Sequence, residues 1–103
     1  MDSVVINGVN KFFKTDFFLS EYPWLEEMKV VDIDNNLILI GYLSDSEIKE
    51  DELYSKGINA HKFFKTIIVE YLRYFGIKPK DVMAFTLRNG NDEAVYRSLN
   101  DIF

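Results

Sequence analysis

Met28–Leu43 reads MKVVDIDNNLILIGYL. Two strand-like runs meet there at Asn35-Asn36, residues that tolerate the positive φ of a two-residue hairpin turn, so the stretch predicts an antiparallel hairpin over Met28–Leu43. In the first arm Val31 and Ile33 fall on one face and Asp32 and Asp34 on the other. The second arm, Leu37-Ile38-Leu39-Ile40, is apolar on both faces, which predicts a central strand. A sheet is implied, and the rest of the chain must supply its other strands and its cover.

The cover is read most directly from Asn59–Phe75. Ala60, Phe63, Phe64, Ile67, Ile68, Tyr71, Leu72 and Phe75 recur at helical spacing, with Asn59 as cap, Gly76 as stop and Pro79 beyond. Val82–Leu87 reads as another strand ended by Asn89-Gly90. Ser3–Ile6 reads as a short β-branched opening strand ended by Asn7-Gly8, with Asn10 capping a first helix that stops at Tyr22-Pro23. Ser44-Asp45-Ser46-Glu47 offers a capping box for a short helix ending at Gly57. Asp92–Phe103 fits either a returning strand or a helix; Asn91 as cap and the Val95, Leu99, Ile102 stripe favour helix. The expectation is an α+β fold: a small antiparallel sheet packed against one long amphipathic helix and shorter ones, in a single domain over residues 1–103.

KFFKT occurs twice, at Lys11–Thr15 and Lys62–Thr66, each after a glycine, an aliphatic residue and an asparagine. The matched register ends at Thr15 and Thr66, whereas a duplicated module would keep its pattern over a whole unit. The two copies read as similar helix starts, each turning a Phe pair inward and two lysines outward; a decayed duplication is the alternative. Lysines flanking aromatics also serve nucleic-acid binding, but Phe63 and Phe64 share a face with Ile67 and Ile68, which assigns them to the core.

The absence of cysteine removes disulfides and thiolate chemistry and fits a cytoplasmic protein. No signal peptide or membrane helix is expected, since the longest apolar run, Leu37–Leu43, is interrupted by Gly41 and too short to span a bilayer. The net charge of −5 is unevenly spread: residues 1–52 carry 12 acids and 4 bases, residues 53–103 carry 5 acids and 8 bases. That asymmetry predicts one anionic and one cationic surface if the halves stay apart in space.

Few residues suggest catalysis. His61 is the only histidine, leaving no zinc set; beside Lys62 at a helix start it reads as a solvated residue. Asp32-Ile33-Asp34-Asn35-Asn36 resembles a calcium loop but places Leu37 and Leu43 where glycine and a bidentate glutamate are needed. The five glycines are scattered singly, so no phosphate loop is present. No metal, cofactor or enzymatic activity is expected.

The acids say more. Glu47, Glu50, Asp51 and Glu52 surround one lysine, Lys49, and with Glu21, Glu26, Glu27, Asp32 and Asp34 could form a continuous anionic face. Such a face repels nucleic acid and attracts cationic proteins, nucleases among them. Tyr22, Trp24 and Tyr54 lie near these acids in sequence, and Tyr22 and Trp24 are candidate interface anchors. The same residues also read as a solubilising face with Trp24 in the core.

Val5-Ile6-Asn7-Gly8 is similar to the opening strand and turn of barstar-type ribonuclease inhibitors. The match covers those four residues, and no site carries over from it. Size, acidity and the lack of catalytic residues look like immunity proteins, antitoxins and phage anti-defence inhibitors as a class. The expected function is that of an acidic inhibitor binding another protein through Glu26, Glu27, Glu47, Glu50, Asp51, Glu52, Tyr22 and Trp24. The alternative is a nucleic-acid-binding or regulatory domain using Lys62, Lys65, Lys78, Lys80, Arg88 and Arg97.

Overall fold

Leu25–Ile33 (β1) and Asn36–Leu43 (β2) pair antiparallel in a computed structural model that describes residues 1–102. The turn is Asp34-Asn35, both at positive φ (52° and 68°), one residue earlier than the spacing suggested. Asp32 accounts for the shift, because its carboxylate accepts the Asn35 N–H at 3.0 Å and braces the turn. Val82–Arg88 (β3) lies beside β2, and Ala94–Leu99 (β4) closes the order β1-β2-β3-β4. β2 is therefore interior, as its two apolar faces required. Yet β2 and β3 run parallel, so the sheet is mixed rather than wholly antiparallel.

Inward residues of the sheet include Met28, Val30, Leu37, Leu39, Phe85 and Leu87, all buried. Gly41 belongs to the same layer: a Cβ there would sit 2.7 Å from Leu87 Cδ2 and 3.3 Å from Leu25 Cδ1. On the opposite face Val31, Ile38, Ile40 and Tyr42 are half-buried and Ile33 is exposed. The apolar pair Val31 and Ile33 thus faces away from the core, because Met28 and Val30 fill the inward positions.

Helical structure covers the inward face. Ser3–Phe13 (α1) replaces the expected opening strand and turn, so the likeness of Val5–Gly8 to a strand and turn does not extend to the structure. The Asp2 carboxylate caps α1 by accepting the Val4 N–H, and burial of Val9 and Phe13 on one face outweighs the β preference of Val4, Val5 and Ile6. Asn10 is consequently not a cap. Its side chain reaches β1, accepting the Val30 N–H at 2.7 Å and donating to the Val30 carbonyl at 3.0 Å. One amide thereby satisfies the Val30 peptide on the outer edge of β1 as a neighbouring strand would. Thr15 ends α1 and opens Asp16–Leu19 (α2), donating to the Phe12 carbonyl and accepting from the Phe18 N–H.

The main covering element is a run of 16 helical residues, Ala60–Phe75, that is not one regular α-helix. Ala60–Thr66 (α3) is α-helical, Ile67–Tyr71 forms a π turn and Leu72–Phe75 a 3₁₀ turn. Residues in an α-helix advance about 100° each, so a stripe spaced by fours drifts around the axis. The wider π turn draws that drift back, keeping Ile67, Ile68 and Leu72 buried. Asn59 caps the run through the Lys62 N–H, and Gly76 ends it at φ 75°. Both KFFKT copies turn their phenylalanines toward the core and their lysines to solvent, but the first closes α1 whereas the second lies in α3.

The C-terminal segment is strand β4, not a helix. Asp92 takes φ 59° in the connection, which the Asn89 side chain holds by accepting the Asn91 and Glu93 N–H groups. Likewise, only a 3₁₀ turn, Glu50–Glu52, forms where a helix was expected before Gly57. Ser44 makes no capping box, because its hydroxyl donates to the Pro23 carbonyl and Asp45 takes the Glu47 N–H.

Two substitutions in α1 should change stability in opposite directions. A Cβ at Gly8 would meet only Phe75 Cε1 at 3.9 Å, so Gly8→Ala should stabilise by about 0.5–1 kcal/mol. Asn10→Ala leaves the part-buried Val30 peptide unpaired and should cost about 1–3 kcal/mol. Urea denaturation measures both, and a destabilised Gly8→Ala protein would contradict helix α1.

Candidate functional site

Parallel strands β2 and β3 end on the same side of the sheet, at Leu43 and Arg88, which places the segments that follow them side by side. Ile48 and Leu53 are buried and anchor the segment after β2. Asn89 is the only buried polar residue among the described residues, and its Nδ2 donates to the Ile48 carbonyl at 3.4 Å. Gly90 lies directly against Ser46: a Cβ there would be 2.4 Å from Ser46 Cβ and 2.9 Å from Ser46 Cα. The β3–β4 connection thus clamps the acidic segment.

The clamp shapes an open recess of about 570 Å³ lined by the carboxylates of Asp45, Glu47, Glu52 and Glu93, one cation, Lys49, and Ile48, Asn89 and Asn91. Two carboxylates have structural duties: Asp45 accepts the Glu47 N–H at 3.0 Å and Glu52 the Lys49 N–H at 3.2 Å. Glu47, Glu50, Asp51 and Glu93 have none among the described hydrogen bonds or ion pairs. The ion pairs among the described residues are Met1–Asp32, His61–Asp101 and Arg88–Asp92. His61 is exposed, as its setting at the helix start suggested. No group of three His, Cys, Asp or Glu among the described residues is placed to hold a metal ion.

Of the residues selected from sequence, Glu47 and Glu52 border the recess, whereas Glu50 and Asp51, on the same segment, do not line it. Glu26 is the extra residue of a bulge where β1 begins, between Leu25, paired with Leu43, and Glu27, paired with Tyr42. Glu27 borders a different recess with Lys11, Lys14 and Lys29, so the anionic face is not continuous along β1. Tyr22 and Trp24 are half-buried against Phe63, with ring centroids 4.8 Å away in each case and edge-to-face geometry. They belong largely to the aromatic core. Trp24 still borders the acidic segment, since its carbonyl accepts the Ser44 N–H at 2.9 Å.

Glu93 and Tyr54 are additions that sequence reasoning missed as site residues. Glu93 reaches the recess only because its segment is a hairpin connection, and reading that segment as helix hid it. Tyr54, 89% exposed two residues after Glu52, is the aromatic that remains free. Of the basic residues of the second half, Lys62 and Lys65 stand on α3, Lys78 and Lys80 border one recess near the start of β3, and Arg88 and Arg97 border another beside β3 and β4, with Arg88 bonded to Asp92 at 2.7 Å.

Against protein-family models, curated proteins and solved structures, the chain has no match. No helix among the described residues is long and apolar enough to cross a membrane.

Gly90→Ala should cost about 1–3 kcal/mol and shift the amide resonances of Ser44–Ile48, because Ser46 backbone must move to admit the methyl group. Unchanged spectra would show that the connection does not hold the segment. Burial, with the Tyr71 hydroxyl and the Glu21 and Glu70 carboxylates adding to it, pushes the Tyr22 phenol up to about 12 from 10.0. The unfolded chain loses that proton first, so stability should fall as pH rises from 10.0 to about 12. Tyr22→Phe should remove this part of the slope in chemical denaturation across that range.

Proposed function

We propose that this protein acts by binding another protein, as an inhibitor whose acidic end covers a basic surface of its target. The observation carrying this reading is that Glu47 and Glu93, both unpaired, border one recess beside the Asn89–Gly90 clamp, with unpaired Glu50 and Asp51 following Glu47 on the same segment. Carboxylates engaged with Lys or Arg of their own chain would have little left to offer a partner. Unpaired ones raise the local negative potential and speed encounter with a cationic surface by about 10–10³-fold at low salt.

Exposed Tyr54, two residues after Glu52, would supply the apolar contact that lengthens the lifetime of the complex. A basic surface of this kind is what a nuclease or other nucleic-acid enzyme presents. Immunity, antitoxin and anti-defence proteins work in this way, and the cytoplasm is the setting in which this cysteine-free chain would meet such a target. Carboxylates around one recess are also the equipment of acid–base hydrolysis. Here Ile48 is the sole apolar residue in the lining, so little is present to desolvate a carboxyl group, and binding is favoured over catalysis. The alternative, direct nucleic-acid binding, would use Lys62, Lys65, Lys78, Lys80 and Arg97; Arg88 is already engaged by Asp92.

The test compares the native chain with the triple variant Glu47→Lys, Glu50→Lys, Asp51→Lys, which leaves the capping acids intact. Each is immobilised and exposed to lysate of the source organism, and association kinetics are then measured with the isolated partner. The expected result is a partner of high isoelectric point whose association rate falls at least about tenfold in the variant at low salt. An association rate indifferent to both charge reversal and salt would refute the proposal.

A further inference from the structure

Phe12, Phe17, Glu70, Tyr71, Tyr74 and Phe75 line a recess of about 420 Å³ between the end of α1, α2 and the last turns of the helical run. Five aromatic rings and one carboxylate are an unusual combination. Phe12 is at the centre: its ring centroid lies 6.3 Å from Phe17, 5.7 Å from Tyr71 and 5.9 Å from Phe75, each pair tilted rather than stacked. Phe12 also packs on Phe13 and Phe18, so the ring surface open to a guest comes chiefly from Phe17 and Tyr74. Phe17 and Tyr74 are 72% and 78% exposed, and core packing gives no reason to leave two large rings in water at one opening.

The lining coincides with the irregular part of the helical run. Glu70 and Tyr71 lie in the π turn, and Tyr74 and Phe75 in the 3₁₀ turn after it. A π turn inside a helix is frequent at functional sites, whereas the closing 3₁₀ turn is an ordinary helix ending.

Chemistry narrows the guest. Aromatic faces carry a negative quadrupole that attracts cations, and a carboxylate at the same opening supplies a full counter-charge. Glu70 has no ion pair among the described residues. A neutral apolar guest would gain nothing from Glu70, whereas a compact ammonium would forfeit strong hydration. A methylated ammonium avoids both penalties, because its charge is diffuse and its methyl groups match the walls. The Tyr74 ring already accepts a cation, the Arg73 guanidinium carbon lying 5.8 Å from its centroid.

We propose that this recess binds a methylated ammonium group, with the rings of Phe12, Phe17, Tyr71, Tyr74 and Phe75 against the methyl groups and Glu70 balancing the charge. The group is carried by a small quaternary amine or by a trimethylated lysine side chain. The proposal does not rest on the acidic end.

The full chain is titrated, by NMR or calorimetry up to the millimolar range, with choline, its uncharged isostere 3,3-dimethyl-1-butanol, a trimethyllysine peptide and the same peptide with unmodified lysine. Choline or the trimethyllysine peptide should bind at least about tenfold tighter than its own control, and whichever of the two binds identifies the source of the group. Glu70→Gln and Tyr74→Ala should each abolish that preference without lowering the melting temperature, since both side chains are exposed. Failure of both choline and the trimethyllysine peptide to bind tighter than their own controls would overturn the proposal, as would the absence of saturable binding by all four ligands.

Discussion

Parallel pairing of β2 with β3 is the constraint from which the rest of the architecture follows. A parallel neighbour cannot be reached through a tight turn, so the chain must leave one end of the sheet and return to the other. Residues 44–81 make that journey. The return leg is the helical run, which lays Phe64 on Phe85 with ring centroids 4.7 Å apart. The outward leg is the acidic segment, and parallel strand ends bring it against the β3–β4 connection. An antiparallel β3 would have put that connection at the far end, and Asn89 could not have met Ile48.

Aromatic side chains carry the packing across this framework. A continuous path of ring contacts runs from Phe12 through Phe18, Tyr22, Trp24, Phe63, Phe64 and Phe85 to Tyr96, joining α1 to the last strand. Such pairs contribute about 0.5–1.5 kcal/mol each beyond the area they bury. The path explains why Tyr22 and Trp24 are turned inward despite their acidic neighbours in sequence. Their rings are links between α2 and α3, and only what remains uncovered is free for a partner.

The parts legible in the sequence are those set by local patterns. Asn59 and Gly76 bound the helical run, and β2 is interior because Leu37–Ile40 is apolar on both faces. Patterns that depend on distant partners misled. Val4-Val5-Ile6 carries strand propensity, but the helix wins because Val9 and Phe13 find a core and Asp2 supplies a cap. Val95, Leu99 and Ile102 mimic a helical stripe, yet Val95 alone is buried, and the hydrogen bonds of Asn89 set the direction of return. The direction of β3 could not be read from Val82–Leu87, since a buried strand has the same composition in either orientation. At the acidic end the cluster Glu47–Glu52 was visible as a run of letters. Glu93 was not, because a hairpin had to bring it there.

Asn10 occupies the Val30 peptide on the outer margin of β1, and the 3₁₀ turn Glu50–Glu52 packs near β4 at the other margin of the sheet. A strand arriving at β1 would have to displace that amide before it could pair with Val30, so the helix that covers the core also obstructs lengthening of the sheet on that side.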